Sequence, residues 1–246
     1  MKQLKIVNMT AIKKELIDIE QELSKLPAYR LYRRREFFSY IADGKEIGIT
    51  RQLDIIKQLC RRAYLLERKK QIHNNLKNCT DNFDDRTPQQ LIAGLPQAYQ
   101  NLPLEYFYHP SVEKWFKYPP RFNTIKPDEV IYEYNNVNYC TLSEREIAQI
   151  LTENNLLFYY DANIDTGTAK FSPDFYIKNP FSGRYYILEF FGAFHKTGYG
   201  ERMNDKMASY IKIGFHENDN LITTFNYHLR DRSLIQDLID RIIWQI

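Results

Sequence analysis

Seven prolines lie within residues 88–127, at Pro88, Pro96, Pro103, Pro110, Pro119, Pro120 and Pro127. Each removes a backbone donor and fixes φ, so no long helix or strand passes through this stretch. The chain therefore reads in three parts: residues 1–80, a connector over 81–142, and residues 143–246. The connector also holds Tyr99, Tyr106, Phe107, Tyr108, Trp115, Phe116 and Tyr118. A disordered linker is poor in aromatic residues, so short helices packed against a neighbour are expected here.

In the front part, Ile12, Leu16, Ile19, Leu23 and Leu26 recur at spacings of three and four. That period predicts an amphipathic helix over 10–26, ended by Pro27. Leu31-Tyr32 and Phe37-Phe38-Ser39-Tyr40-Ile41 read as strand, and Asp43-Gly44 as the turn of a hairpin that returns through Ile47 and Ile49. A second helix is predicted over 51–76. Leu53, Ile56, Leu59, Cys60, Ala63, Leu66 and Ile72 mark one face, and Lys57, Arg61, Arg62, Arg68, Lys69 and Lys70 the other. Residues 1–80 carry 18 Lys/Arg against 9 Asp/Glu, whereas the remainder carries 16 against 22. A basic helix–hairpin–helix region suits phosphate binding, although a solvated helical surface accounts for the same charges.

The rear part has an α/β pattern. A helix is predicted over 143–154, with Ser143 as N-cap and Ile147, Ile150 and Leu151 as its buried stripe. Strands are predicted over 156–160, 171–178, 185–191 and 221–225. The turn Asn179-Pro180-Phe181-Ser182-Gly183 makes the second and third a hairpin. Helices over 200–213 and 233–244 complete a mixed β-sheet flanked by helices.

Several classes are disfavoured. No stretch of about 18 apolar residues suggests a membrane span or a secretory leader, so a cytoplasmic protein that does not engage membranes is expected. Cys60, Cys79 and Cys140 are odd in number and far apart, which fits free thiols. There is no glycine-rich loop ending in Gly-Lys-Ser/Thr and no Gly-x-Ser-x-Gly elbow. His73, His109, His195, His216 and His228 lack metal-ligand spacing.

The informative residues are two carboxylates inside otherwise apolar, aromatic strands. Strand side chains alternate, so Asp174 shares a side with Ser172 and Tyr176, and Glu189 with Tyr185 and Ile187. Neighbouring strands lie about 4.8 Å apart, close enough for both carboxylates to share one divalent cation. A buried charge left without such a partner is costly.

The stretches Phe171-Ser172-Pro173-Asp174-Phe175 and Tyr186-Ile187-Leu188-Glu189-Phe190-Phe191-Gly192 resemble the signatures of PD-(D/E)XK, or restriction-endonuclease-like, nucleases. Ser143-Glu144-Arg145-Glu146 resembles the start of the family's first helix, and the match selects Glu146 as its active-site carboxylate. The parent motif has a lysine two residues after the glutamate, where this chain has Phe191. Tyr199, Lys206, Tyr210 and Gly214 are similar to a bacterial and phage branch that carries the lysine on the following helix, which makes Lys206 the replacement.

The resemblance implies a Mg²⁺- or Mn²⁺-dependent nuclease domain over 143–246, acting on DNA, with RNA a second candidate substrate. Asp174 and Glu189 would hold the metal with the carbonyl of Phe190, Glu146 would support it, and Lys206 would orient water or stabilise charge. His195 and Lys196 are loop candidates for phosphate contact. Arg30, Arg33, Arg34, Arg35, Arg61 and Arg62 are the candidate nucleic-acid contacts of the front part. A homodimer, or a partner protein from a mobile element or defence system, is compatible with the same branch. The displaced lysine also fits a second reading, a nucleic-acid-binding or protein-interaction module on a nuclease-like fold that no longer cuts.

Overall fold

The computed structural model describes residues 9–77, 83–122, 131–165, 167, 170–192, 197–217 and 219–245. The chain is mixed α/β with several small sheets, and it divides into two compact units, Met1–Pro110 with Trp244–Ile246, and Ser111–Ile243. Residues of the expected connector thus fall in both units. No helix among the described residues is long and apolar enough to cross a membrane.

The first unit begins with α1 (Met9–Leu23), a three-stranded antiparallel sheet of β1 (Tyr32–Arg34), β2 (Phe37–Ala42) and β3 (Lys45–Gly48), and α2 (Leu53–Lys77). Asp43 and Gly44 at φ 49° and 72° close the β2–β3 hairpin, the left-handed pair that a two-residue turn requires. The helix α3 (Pro88–Ala93) and the turns Gln97–Tyr99 and Leu104–Phe107 follow. Because α2 packs against α1, α3 and the Leu104–Phe107 turn, it is covered on more than one side.

That cover corrects the expected polar face of α2. Arg61 and Arg68 are buried, at 4% and 3% exposure. Arg61 donates through Nε and Nη2 to the two carboxylate oxygens of Glu22 at 2.8 Å each, and through Nη1 to the Phe107 carbonyl at 3.0 Å. Arg68 grips Glu15 in the same way at 2.8 and 2.9 Å. Buried guanidinium groups are tolerated because bidentate carboxylates satisfy them. Cys60, beside Arg61, is buried and its thiol is pushed up to about 12 by burial; Cys79 lies outside the described residues.

The second unit opens with α4 (Val112–Lys117), β4 (Arg121–Phe122), and the hairpin β5 (Tyr132–Tyr134) and β6 (Val137–Tyr139). Next come α5 (Leu142–Glu153), β7 (Leu157–Tyr160), β8 (Ala162–Asp165), β9 (Lys170–Phe171), β10 (Phe175–Lys178) and β11 (Tyr185–Phe191). The chain continues through α6 (Tyr199–Lys212), β12 (Leu221–Phe225), α7 (Asn226–Leu229) and α8 (Arg232–Leu238). The main sheet has the order β12-β11-β10-β7, with β11 parallel to β12 and β10 antiparallel to both β11 and β7. In β11 five of seven residues are buried, as expected of a strand covered on both faces.

Residues 171–178 form two strands rather than one. β9 pairs with β8, and the main sheet is joined only at Phe175. Pro173 has no amide to give to a ladder, while the Asp174 carbonyl accepts from the Asp161 amide at 3.0 Å. Asp174 therefore stands at the very entrance of β10. On one sheet face Ile187, Leu221 and Tyr210 of α6 form a core with Phe171, Tyr176 and Met207.

Lys178 sits on the same face, fully buried, with Nζ 3.9 Å from the Tyr185 ring centroid and donating to the Gly183 carbonyl at 3.2 Å. Burial pulls its pKa down to about 8 from the ordinary 10.5. Between those two values the unfolded chain binds a proton that the folded chain does not, so stability rises with pH across that window, and the full penalty applies below it. Lys178→Met is expected to remove this part of the pH dependence and to stabilise the protein at pH 7 by roughly 1–3 kcal/mol, the loss of a cation–π contact offsetting part of the gain. Urea denaturation of parent and variant at pH 7 and pH 10 measures it; an unchanged difference between the two pH values would show that Lys178 is not held below its ordinary range.

Candidate functional site

The register that pairs Phe175 with Leu188 and Tyr176 with Ile187 brings Asp174 opposite Glu189 on the next rung, facing the same way. Glu189 lies deep in β11 and is 1% exposed, whereas Asp174, at the strand entrance, is 25% exposed. From α6, Lys206 Nζ donates to Glu189 Oε2 at 2.6 Å and to Asp174 Oδ1 at 3.4 Å. One helical turn later Tyr210 donates its hydroxyl to Glu189 Oε1 at 2.5 Å. The Phe190 amide donates to Asp174 Oδ2 at 2.8 Å.

Burial and the nearby Asp174 charge raise the Glu189 carboxyl to about 8, against the opposing pull of Lys206 and Tyr210. Burial acts to lower Lys206, but Asp174 and Glu189 outweigh it and hold the ammonium above its ordinary range. Tyr210 is raised by burial and by Glu189, so it remains a donor. One ammonium therefore serves two acidic groups, and a further positive charge would find an acceptor in Glu189.

A third carboxylate comes from α5. The structure corrects the cap expected at Ser143: Thr141 caps this helix, accepting from the Glu144 amide at 3.1 Å. Glu144 is a side chain in the field of Asp174. It accepts from Thr141 Oγ1 at 2.8 Å and from Tyr160 at 3.2 Å, and burial, with Asp174 contributing, raises its pKa. Two residues along a helix turn by about 200°, so Glu146 cannot share that face. Glu146 makes no hydrogen bond or ion pair with Asp174, Glu189 or Lys206. The local signal for Glu144 was Thr141-Leu142-Ser143-Glu144, a threonine cap with glutamate three residues on.

Phe191, where the parent motif has lysine, is buried edge-on to Tyr199 at 6.3 Å and beside Phe225 at 6.1 Å. Gly214 follows the last residues of α6 at φ +92°, a conformation that ends helices. His195 and Lys196 lie outside the described residues.

The candidate contacts of the first unit divide by exposure. Arg30, Arg34 and Arg35 are exposed. Arg33 is half-buried and donates to the Arg35 and Gln100 carbonyls at 3.0 Å each, Arg62 donates to the Leu23 carbonyl at 3.1 Å, and Arg61 is consumed by Glu22.

Among the described residues no three His, Cys, Asp or Glu side chains gather as a metal-ligand set. Asp174 and Glu189 do open toward one point where a cation already lies, the Lys206 ammonium. Two hard oxygen donors of this kind, completed by water, are a donor set that a magnesium-like ion accepts. Comparison with protein-family models, with curated proteins and with solved structures gives no match.

Proposed function

We propose that the second unit is a metal-dependent nuclease that hydrolyses phosphodiester bonds of DNA, with its mixed sheet arranged as in restriction-endonuclease-like proteins. The observation that carries the reading is the cation-bridged pair: Lys206 Nζ reaches both Asp174 and Glu189, at 3.4 and 2.6 Å. A magnesium or manganese ion held by these carboxylates would supply Lewis acidity and a water of lowered pKa. The chain's own groups do the rest. Tyr210 and the Phe190 amide fix the orientation of the two carboxylates, so little reorganisation is needed when charge develops. Lys206 holds positive charge beside the reacting phosphate, and Glu144 adds negative charge on the α5 side. Arg30, Arg34 and Arg35 in the first unit are the exposed candidates for backbone phosphates.

One observation favours the second reading, a binding module that no longer cuts: the Lys206 ammonium already supplies a counter-charge to both carboxylates. The two readings differ under assay. The nuclease cleaves end-labelled DNA when Mg²⁺ or Mn²⁺ is added, and the binding module does not cleave under either ion. Lys206→Met keeps most of the stem and its packing, so it is expected to fold normally. Its turnover in Mg²⁺ should fall by at least about tenfold, about 1.4 kcal/mol of barrier. Parental turnover in this variant would remove Lys206 from the chemistry.

A further inference from the structure

A groove of about 980 Å³ opens in the second unit, and its lining includes Tyr159, Tyr176 and Tyr185. The register puts Tyr159 of β7 directly across from Tyr176 of β10, and Tyr185 of β11 across from the neighbouring Lys178. The three tyrosines therefore tile three adjacent strands on the face that carries Asp174 and Glu189. Trp115 stacks on Tyr159 at 4.2 Å and on Tyr176 at 5.6 Å, and Tyr176 on Tyr185 at 5.3 Å with an interplanar angle of 8°. Tyr159 donates to the Trp115 carbonyl at 2.7 Å, and Lys178 lies against Tyr185, so the platform is rigid. Trp115 and Lys178 are its buried part. Tyr185 and Tyr118 are its open part, at 38% and 68% exposure.

The charges in the groove select the occupant. Among the described residues, Lys114, Arg121 and Lys170 line it and are exposed, against one acid, Asp165, which lies 3.3 Å from Lys170. Aromatic faces alone would equally suit a sugar ring, but a cationic excess favours a polyanion that also offers flat faces. Bases in a duplex hide those faces in the stack, whereas an unpaired strand presents them. We infer that this groove is a stacking site for the bases of an unpaired DNA strand, with Lys114, Arg121 and Lys170 meeting its phosphates. Four residues separate Tyr185 from Glu189 along β11, about 13 Å, so a strand seated here lies within a few nucleotides of the carboxylate pair. Binding rests on the groove alone; its place in catalysis rests on the phosphodiesterase reading above.

The test uses the full chain in EDTA, where cleavage cannot interfere, with a fluorescent oligodeoxythymidine and an abasic strand of equal length and charge. The oligodeoxythymidine is expected to bind at least about fivefold tighter, because stacking of each base adds to affinity while the phosphates are common to both. Tyr185→Ala is expected to erase most of that preference. Tyr118→Ala, at a side chain exposed enough to leave the fold intact, should reduce it in the same direction. Replacing Lys114 and Arg121 by Gln should weaken both strands alike and flatten the salt dependence. Equal affinity for the two strands, or a preference untouched by both tyrosine variants, overturns the stacking site. A base preference that depends on the tyrosines in a protein that never cuts DNA upholds the groove and sinks the nuclease reading alone. Cutting without base preference does the reverse.

Discussion

Asp174→Asn and Glu189→Gln are each expected to lower DNA cleavage by at least about a thousandfold, about 4 kcal/mol of barrier, while leaving the protein folded. The two carboxylates lie on the same sheet face, one rung beyond the Phe175–Leu188 pair, and share a single ammonium. Ionising both without a metal is costly, which with burial is why Glu189 is raised to about 8, so a neutral amide at either position removes that cost and stability should hold or rise. Added Mn²⁺ should raise the melting temperature of the parent by binding the native state preferentially, and should leave both variants unmoved. Melting curves with and without Mn²⁺, read beside cleavage of labelled DNA, separate a metal site from an ordinary ion pair. Variants that cut like the parent would return these residues to a structural role and favour the non-cutting module.

Arg61→Ala is expected to destabilise the first unit by about 3–5 kcal/mol, because it strands a partner inside the helix pair. Glu22 is only 18% exposed and takes both of its short contacts from Arg61. The Phe107 carbonyl loses a donor as well. Replacing Arg61 and Glu22 together by leucine should cost much less, since no buried charge is then left alone. Urea denaturation of the single and double variants measures the coupling. A loss below about 1 kcal/mol in the single variant would mean that the guanidinium is solvated, as the sequence periodicity suggested.

Local pattern was a good guide where one covered face decided the structure. The apolar run of β11, the period of α1 and α6, and the Asp43-Gly44 hairpin were all legible, as was the common facing of Asp174 and Glu189. Long-range partners were not. Arg61 and Arg68 read as solvent-facing because Glu22 and Glu15 lie 39 and 53 residues away, beyond any periodic signal. The β5–β6 hairpin, hidden in the expected connector, turns on Asn135 and Asn136, both at positive φ, a turn type that asparagine permits without glycine. The helix starts at Thr141 rather than Ser143, and the cap holds Glu144 by its own amide and by the Thr141 hydroxyl; the resemblance had pointed to Glu146. The strand break before Asp174 follows from Pro173, whose missing donor was visible but whose partner strand β8 was not.

Lys206 and Tyr210 stand one turn apart on α6, and both end on the Glu189 carboxylate. The counter-charge and the orienting hydroxyl of that group are therefore carried by one rigid lever. Any fraying or displacement of α6 withdraws both together, leaving an acidic group in an apolar strand with neither neutralisation nor alignment. The arrangement makes the pocket an all-or-none assembly whose integrity is set by the local folding equilibrium of one fourteen-residue helix.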